Sequence, residues 1–492
     1  MWSKLVDAGL DAGEYTPATK PEVEAARDAA QRASEAQDSN SCALLQPHVG
    51  MLRSSTSTLQ PSTSLLSHAH KPPKGWPSEA KQCDDEGCWP KLFIIGTQKG
   101  ATTSLFQVLH GQGGACGSIT NPRIEAALPN LKGAFNGDTG MAKEPHIFDI
   151  VKSDWKKVAN EPGLYRSLYR VSDCPQRTFL DATPNYIHHP GAPSRLAELL
   201  PSSWVPHLRM VLTVREPIAR DLSWFNHRSA QSCQPGADRS NMKYAFCSAS
   251  DAQALDPNFY PSYEKEVECR KQELDDCLAA ARQRLDRGEA LSQNASRGSG
   301  QMARPPRMKS TDAEGWLEED YHECVAAYEE GGWDEEDPKF ARDPPLLTWG
   351  MYLPQLSAWT RRVSRGQILV LNFERLIAQP GDMLPRVTSF LGLPAMQKNE
   401  LPQANEQPYD RKVDVISCKT SQLLGGVFKG WNKQFVAQMR ADHDGGHAPS
   451  QEPRFEGFDT AVPCEEHEHV VEVELKAPAA GAVPPPYGTW ER

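Results

Sequence analysis

Three short clusters in this chain combine residue types that handle anions and protons. The first is Gly96-Thr97-Gln98-Lys99-Gly100-Ala101-Thr102-Thr103-Ser104. Glycines at both ends of a short turn let backbone N–H groups close around an anion. A helix starting behind the turn adds its positive dipole end, and Thr102, Thr103 and Ser104 supply hydroxyl donors or cap the helix. Lys99 sits inside the turn, where its ammonium reaches the same anion. The chemistry predicted is phosphate binding, with Lys99, Gly100, Ala101, Thr102, Thr103 and Ser104 as the cradle. The loop is not a Walker A motif, G-x-x-x-x-G-K-[ST], because its lysine precedes the second glycine, which argues against a P-loop kinase or NTPase. Taken alone, it also reads as a Gly-rich turn with a surface lysine.

The second cluster, Arg215-Glu216-Pro217-Ile218-Ala219-Arg220-Asp221-Leu222-Ser223, follows an apolar run. Arginine grips a phosphate in bidentate fashion, and a serine donates to it from a helix. Pro217 suits a first helical turn, where its missing N–H goes unused. The third cluster is Lys143-Glu144-Pro145-His146-Ile147-Phe148-Asp149. The Glu144 carboxylate is a sensible general base for a hydroxyl if it is positioned and partly desolvated. The plain alternative for Glu144 is a helix-cap or salt-bridge acid.

The elements that must hold these clusters are legible as short apolar runs. Residues 91–96 read as a buried strand ending in Gly96, followed by a helix with Leu105 and Leu109 four apart. Residues 178–180, 210–214 and 368–371 read as three more buried strands. Helical patterns fall at 192–200, 219–228, 352–363 and 383–391, the last stopped by Gly392 and Pro394. Strands alternating with helices predict an α/β fold, a central parallel sheet covered by helices on both faces. Residues 229–345 interrupt the alternation with a polar insertion, helical over 263–287 and ending in an acidic run that reads as a solvated face. Order is expected from Lys91 onward. Residues 1–88 and the Gly/Pro/Glu/His-rich tail 441–492 read as disordered.

The 492 residues are 39% hydrophobic with a mean hydropathy of -0.58, which leaves much of the length outside any core. A net charge of -11 argues against non-specific binding to nucleic acid or an anionic membrane, yet permits a local basic cleft. Twelve cysteines, with no close C-x-x-C pair and no histidines spaced with them, read as disulfides or buried thiols rather than a zinc site. Cys464, His467 and His469 do not read as a metal site either. The cysteine count suits an oxidising lumen, and Asn294-Ala295-Ser296 is a glycosylation sequon. No run of about 18 apolar residues reads as a membrane span. The opening residues lack a signal-peptide core, so a lumenal protein needs a missing amino terminus or another route, and a cytosolic one is the alternative.

In order along the chain, these clusters resemble the PAPS-dependent sulfotransferases, which take a sulfuryl group from 3′-phosphoadenosine 5′-phosphosulfate. The lysine, glycine and Thr-Thr-Ser order of the first cluster resembles that family's 5′-phosphosulfate loop. The Arg-x-Pro turn, with Ser223 eight residues after Arg215, resembles its 3′-phosphate element. The third cluster is similar to the Lys-Glu-x-His-Phe-Phe segment of the lumenal glycosaminoglycan enzymes, with Ile147 in place of the first Phe. The resemblance implies a P-loop-like three-layer domain over 89–440, PAPS as donor, no metal, a carbohydrate acceptor, no nucleic-acid partner and a Golgi lumenal setting. It further implies that Lys99, Glu144 and His146 are catalytic and that Arg215 and Ser223 hold the 3′-phosphate. Asp181-Ala182-Thr183-Pro184-Asn185-Tyr186 resembles the family's Lys-Thr-Pro-x-Tyr turn, but Ala182 stands where heparan-type enzymes often carry lysine, removing a charge near the transferring sulfate. Blocks at 352–359, 370–376 and 390–394 resemble structural family blocks. Phe428-Lys429-Gly430-Trp431-Asn432-Lys433 is loosely similar to the closing helix start, which implies Lys429 or Lys433 on the donor phosphates. A nucleotide- or glycan-binding protein without transferase activity and a tyrosylprotein sulfotransferase are the other readings.

Overall fold

The strands of the central sheet are largely apolar on both faces, with helices covering both. The computed structural model describes residues 82–111, 114–119, 122–128, 141–174, 178–233, 246–248, 260–289, 318–330, 346–396, 400–402, 411–413 and 416–446, with short pieces at 455, 458, 464–465 and 473–474. β1 (Leu92–Gly96) turns Leu92 and Ile94 to one side and Phe93 and Ile95 to the other, as a period of two requires. It pairs in parallel with β2 (Leu180–Asp181) and with β3 (Arg209–Val214), and β3 pairs in parallel with β4 (Ile368–Asn372), giving the order β2-β1-β3-β4. The chain therefore leaves β1 toward one edge and returns on its other side. Ligands of open α/β sheets bind where that reversal opens a crevice at the carboxyl ends of the strands. Here the strand order reverses between β1 and β3.

The longer helices are α1 (Thr102–Gly111), α2 (Lys152–Asn160), α3 (Ala192–Leu199), α4 (Pro217–Cys233), α5 (Tyr263–Asp286), α6 (Glu318–Glu330), α7 (Tyr352–Thr360), α8 (Pro380–Leu391) and α9 (Cys418–Asp444). Leu105 and Leu109 of α1 and Met383, Leu384 and Val387 of α8 pack with Ile94, Val211 and Leu369 on one face. Leu196 of α3, Tyr352 and Trp359 of α7 and Phe435 of α9 pack with Phe93, Met210 and Ile368 on the other. The expected three-layer α/β arrangement is the one observed.

Several boundaries differ from the sequence expectation. The described residues before Lys91 include a small ladder of Cys83–Asp84 with Gly87–Cys88 closed by the Cys83–Cys88 disulfide. Cys88 donates its N–H to Tyr169 O at 2.8 Å, and buried Trp89 anchors the segment, which outweighs its polar composition. The strand expected at 178–180 forms at Leu180–Asp181; Phe179 bridges to Cys116, near the Cys116–Cys174 disulfide, and its carbonyl accepts the N–H of Leu92 at 3.3 Å. In the tail expected to be disordered, Phe455 and Phe458 are buried against Phe435, and Asn432 Nδ2 donates to Phe458 O at 3.2 Å. Asn294, His467 and His469 lie outside the described residues.

The insertion between β3 and β4 is also more buried than its composition predicts. α5 and α6 are joined by the Cys277–Cys324 disulfide. Within the acidic run expected to be solvated, Asp320 and Glu323 are 1% and 0% exposed, paired with Arg282 and Arg284 respectively. Their charges close the interface between the two helices instead of facing water. Cys247, Cys269 and Glu273 lie within 4.8 Å of one another, but the two sulfurs are bonded to each other and offer no thiolate pair. Among the described residues no helix is long and apolar enough to cross a membrane.

One buried charge cluster fastens the insertion to the sheet domain. Arg270 of α5 donates to Asp221 of α4 at 3.1 Å and to Glu266 at 2.7 Å, and Tyr263 Oη donates to Asp221 at 3.0 Å. Glu266 also accepts from the N–H groups of Cys247 and Ser248 at 3.0 and 2.9 Å. Removing one member of such a group leaves uncompensated charge in the interior. We expect Arg270→Met to lower the unfolding free energy by about 3–5 kcal/mol in urea titration, since buried Glu266 loses its cation and Asp221 keeps only Arg220, at 3.8 Å; a midpoint equal to wild type would show the cluster to be solvated.

Candidate active site

The loop after β1 is shaped by two close approaches. A Cβ on Gly96 would stand 2.3 Å from Ile187 Cγ2, and one on Gly100 would stand 2.8 Å from Thr213 Oγ1. Glycine is required at both. The loop is stitched to β3: Thr97 N donates to Thr213 O at 2.8 Å, and Thr213 Oγ1 donates to Gly96 O at 2.9 Å. Gly100 N donates to Thr97 O at 3.0 Å and closes the turn. Lys99 and Ala101 on either side of Gly100 have φ of 66° and 63°. Left-handed backbone at residues other than glycine costs about 1–3 kcal/mol each and persists where the surroundings fix it, commonly at ligand clamps. Such turns of successive N–H groups form concave anion sites. Trp224 Nε1 of α4 donates to Gln98 Oε1 at 3.0 Å and fixes the outer wall of the turn.

Arg215 reaches this loop from the end of β3, its Nη1 donating to Lys99 O at 3.4 Å. The guanidinium lies 4.6 Å from the centroid of the Phe373 ring. Tyr352 Oη donates to Arg215 O at 2.8 Å, and Glu374 Oε1 accepts the N–H of Glu216 at 3.2 Å, so α7 and the end of β4 buttress the turn. Glu216 in turn accepts the Ala219 N–H at 2.7 Å at the start of α4. Arg215 Nε is buried with no acceptor among the described residues. An unsatisfied guanidinium N–H beside an amide-lined turn fits an anionic ligand. Ser223 lies further along α4, partly exposed, on the same face as His227 four residues on.

The 143–149 segment brings the proton-handling groups to the other side of the loop. Lys143 Nζ donates to Thr102 Oγ1 at 3.2 Å and pairs with Glu144. Glu144 Oε2 also meets His146 Nε2 at 3.2 Å, and His146 Nδ1 meets Asp149 at 2.7 Å. His146 has φ of 52°; with Lys99 and Ala101 it completes the set of non-glycine residues at positive φ among the described residues, all of them at this one place.

The electrostatics follow from that crowding. Burial disfavours the charge of Glu144, but Lys143 and His146 outweigh it and hold the carboxyl at about 2. Burial disfavours protonated His146, but Asp149 and Glu144 outweigh it and raise the ring to about 10. His146 is thus a cation with both nitrogens engaged at neutral pH. Both ring nitrogens lie against carboxylates, Glu144 on one side and Asp149 on the other. Burial, then Arg215 and Lys143, lower Lys99 to about 8. Burial, then Lys99 and Arg228, lower His227 to about 3. Arg215 and Lys143 both repel the Lys99 ammonium in its turn, and an anion there would relieve it.

Of the residues singled out from sequence, Lys99, Gly100, Ala101, Thr102, Glu144, His146 and Arg215 converge. Thr103 and Ser104 occupy the first turn of α1, half-buried and buried. Lys429 stands exposed on α9 with no bond to the loop among the described residues, and Lys433 is exposed as well. Ala182 is fully buried in the apolar cluster with Leu105 and Leu109, so its place is with the core under α1. Lys143 and His227 were not assigned roles from sequence. The signals were available: Lys143 adjoins Glu144, and His227 follows Ser223 by one helical turn.

The coupled pair makes a test of its own. The raised His146 stabilises the fold fully below its ordinary value of 6.5, and that contribution is lost as pH rises through about 10. The depressed Glu144 stabilises above its ordinary 4.5 and loses its contribution as pH falls through about 2. Urea titrations of wild type and His146→Asn are therefore expected to converge in stability between pH 6.5 and 10, and a constant difference across that window would detach His146 from its two carboxylates.

Comparison with protein families matches residues 339–422 to the family described as "Sulfotransferase domain". That span includes Tyr352, Phe373 and Glu374, the groups that brace Arg215 and the residue after it. Comparison with curated proteins finds no match. Among solved structures, a sulfotransferase from Alicyclobacillus acidocaldarius is similar at 14% identity over 71% of this chain and 96% of its own, with a TM-score of 0.33. The family match over β4 and its flanking helices, on a chain with this parallel sheet, supports the sulfotransferase family.

Proposed function

We propose that the protein transfers a sulfuryl group from PAPS to a hydroxyl or amine of a carbohydrate. The observation that carries this reading is the contact of Arg215 with the carbonyl of Lys99. It joins a loop suited to the 5′-phosphosulfate to an arginine suited to the 3′-phosphate, the two ends of one donor. Bound there, the donor supplies an activated sulfuryl group, which passes in line to the acceptor oxygen while the bridging oxygen leaves with adenosine 3′,5′-bisphosphate. Lys99 and the loop amides stabilise charge on the leaving phosphate, and Ser223 shares the 3′-phosphate with Arg215. Glu144 takes the acceptor proton. Paired with Lys143 it is ionised but weakly basic; donor charge beside Lys143 would weaken that pairing and raise its basicity when transfer is due.

The carbohydrate acceptor rests on the likeness of the 143–149 segment to the glycosaminoglycan enzymes. A Golgi or comparable lumen is supported by the disulfides Cys83–Cys88, Cys116–Cys174, Cys247–Cys269 and Cys277–Cys324, which an oxidising compartment maintains.

Titration calorimetry with adenosine 3′,5′-bisphosphate, followed by labelled-PAPS assays over polysaccharides and a tyrosine peptide, tests the reading. Lys99→Ala is expected to lower kcat by about 10²–10³-fold, as loss of one oxyanion donor does. Glu144→Gln is expected to lower it by about 10²–10⁴-fold while leaving bisphosphate binding intact. A folded wild-type protein that releases no heat with the bisphosphate would sink the proposal.

A further inference from the structure

Glu144 and His146 sit on a turn whose backbone is held from below by a buried carboxylate that the proposed chemistry does not use. Asp181, at the end of β2, is fully buried, as are Thr183, Tyr165 and Tyr186 around it. Its Oδ1 accepts from Thr183 Oγ1 at 2.8 Å, and its Oδ2 accepts from Tyr165 Oη at 2.9 Å and from Tyr186 Oη at 3.0 Å. Each hydroxyl has one proton and gives it to the carboxylate. The lone pairs of two of them are thereby turned outward. Thr183 Oγ1 accepts the N–H of His146 at 3.4 Å, and Tyr186 Oη accepts the N–H of Ile147 at 3.1 Å. On the other side of Glu144, Ala182 N donates to Lys143 O at 3.1 Å. The residues before and after Glu144 are thus both tied to the end of β2.

We infer that Asp181 is a positioning residue that fixes the Glu144 carboxylate through Thr183 and Tyr186. The inference rests on the reading of Glu144 as the base. His146 is held at positive φ in this segment, a conformation that needs outside support, and the two hydroxyl relays deliver that support at its own N–H and the next. The polarity of the relay is specific. An amide in place of the carboxylate would present N–H to Thr183 or to the tyrosines, and the hydroxyl facing it would have to accept there and turn its proton elsewhere. A neutral isostere of the same shape therefore breaks the relay without leaving a cavity.

The test uses the full chain near pH 8, above the value of about 7 to which burial raises the Asp181 carboxyl against its three hydroxyl bonds and with the help of Asp149. Asp181→Asn, Thr183→Val, Tyr186→Phe and the conservative Thr183→Ser are compared in three readouts: labelled-PAPS turnover, calorimetric affinity for adenosine 3′,5′-bisphosphate, and amide hydrogen exchange of the 143–149 peptide. Expected are faster exchange in that peptide, a kcat lower by about 10²-fold, as a misplaced catalytic group produces, and unchanged bisphosphate affinity, with Thr183→Ser retaining wild-type turnover. Should Asp181→Asn fail to fold, the Thr183 and Tyr186 variants carry the comparison. Unaltered exchange, or turnover and bisphosphate affinity falling together, overturns the inference while the functional reading stands. Wild-type protein that neither binds the bisphosphate nor transfers sulfuryl overturns the functional reading, and the inference with it.

Discussion

Thr213 accepts the N–H of Thr97 and returns its hydroxyl proton to the carbonyl of Gly96, so the carboxyl ends of β1 and β3 are locked side by side. Nearly everything at the site hangs on that exchange. It places the turn after β1 next to the turn after β3, and Lys99 beside Arg215, although 116 positions separate the two residues in the chain. The neighbouring strands and helices act as scaffolding for this junction. β2 supports the acid-bearing turn from one side, and α7 with the end of β4 braces the arginine from the other.

The junction concentrates positive charge in a chain that is acidic as a whole. Net charge describes how the protein meets its surroundings at long range, while the site is governed by groups a few ångströms apart. Glu144 and Asp149 offset part of that charge by holding His146 as a cation between them. The result is a relay of alternating sign, Lys143, Glu144, His146, Asp149, running away from the loop. A highly charged anionic donor would meet the cationic end of this relay first.

The parallel sheet, the loop and the arginine turn were legible in sequence because each is local. A short apolar run names a buried strand, and a glycine pair with a lysine between names an anion turn. Lys99 and Arg215 could be picked out from such signals without knowing that they touch. What sequence hid depends on distant partners. Asp320 and Glu323 look like solvent-facing acids until Arg282 and Arg284, on another helix, cover them. Phe455 and Phe458 fall in a polar stretch of sequence, yet both pack on Phe435. Lys429 was placed at the site by likeness alone, and the helix carrying it turns that residue to water.

Asp221 lies on α4 between Arg215 and Ser223, yet its carboxylate is bound by Arg270 and Tyr263 from the insertion. The helix that follows the Arg215 turn and carries Ser223 is thus held by two parts of the chain. Loosening the insertion, for instance by reducing Cys247–Cys269, which adjoins Glu266 through the amide of Cys247, would be felt along α4. The Cys247–Cys269 bond is therefore linked, through Glu266, Arg270 and Asp221, to the helix that follows the Arg215 turn.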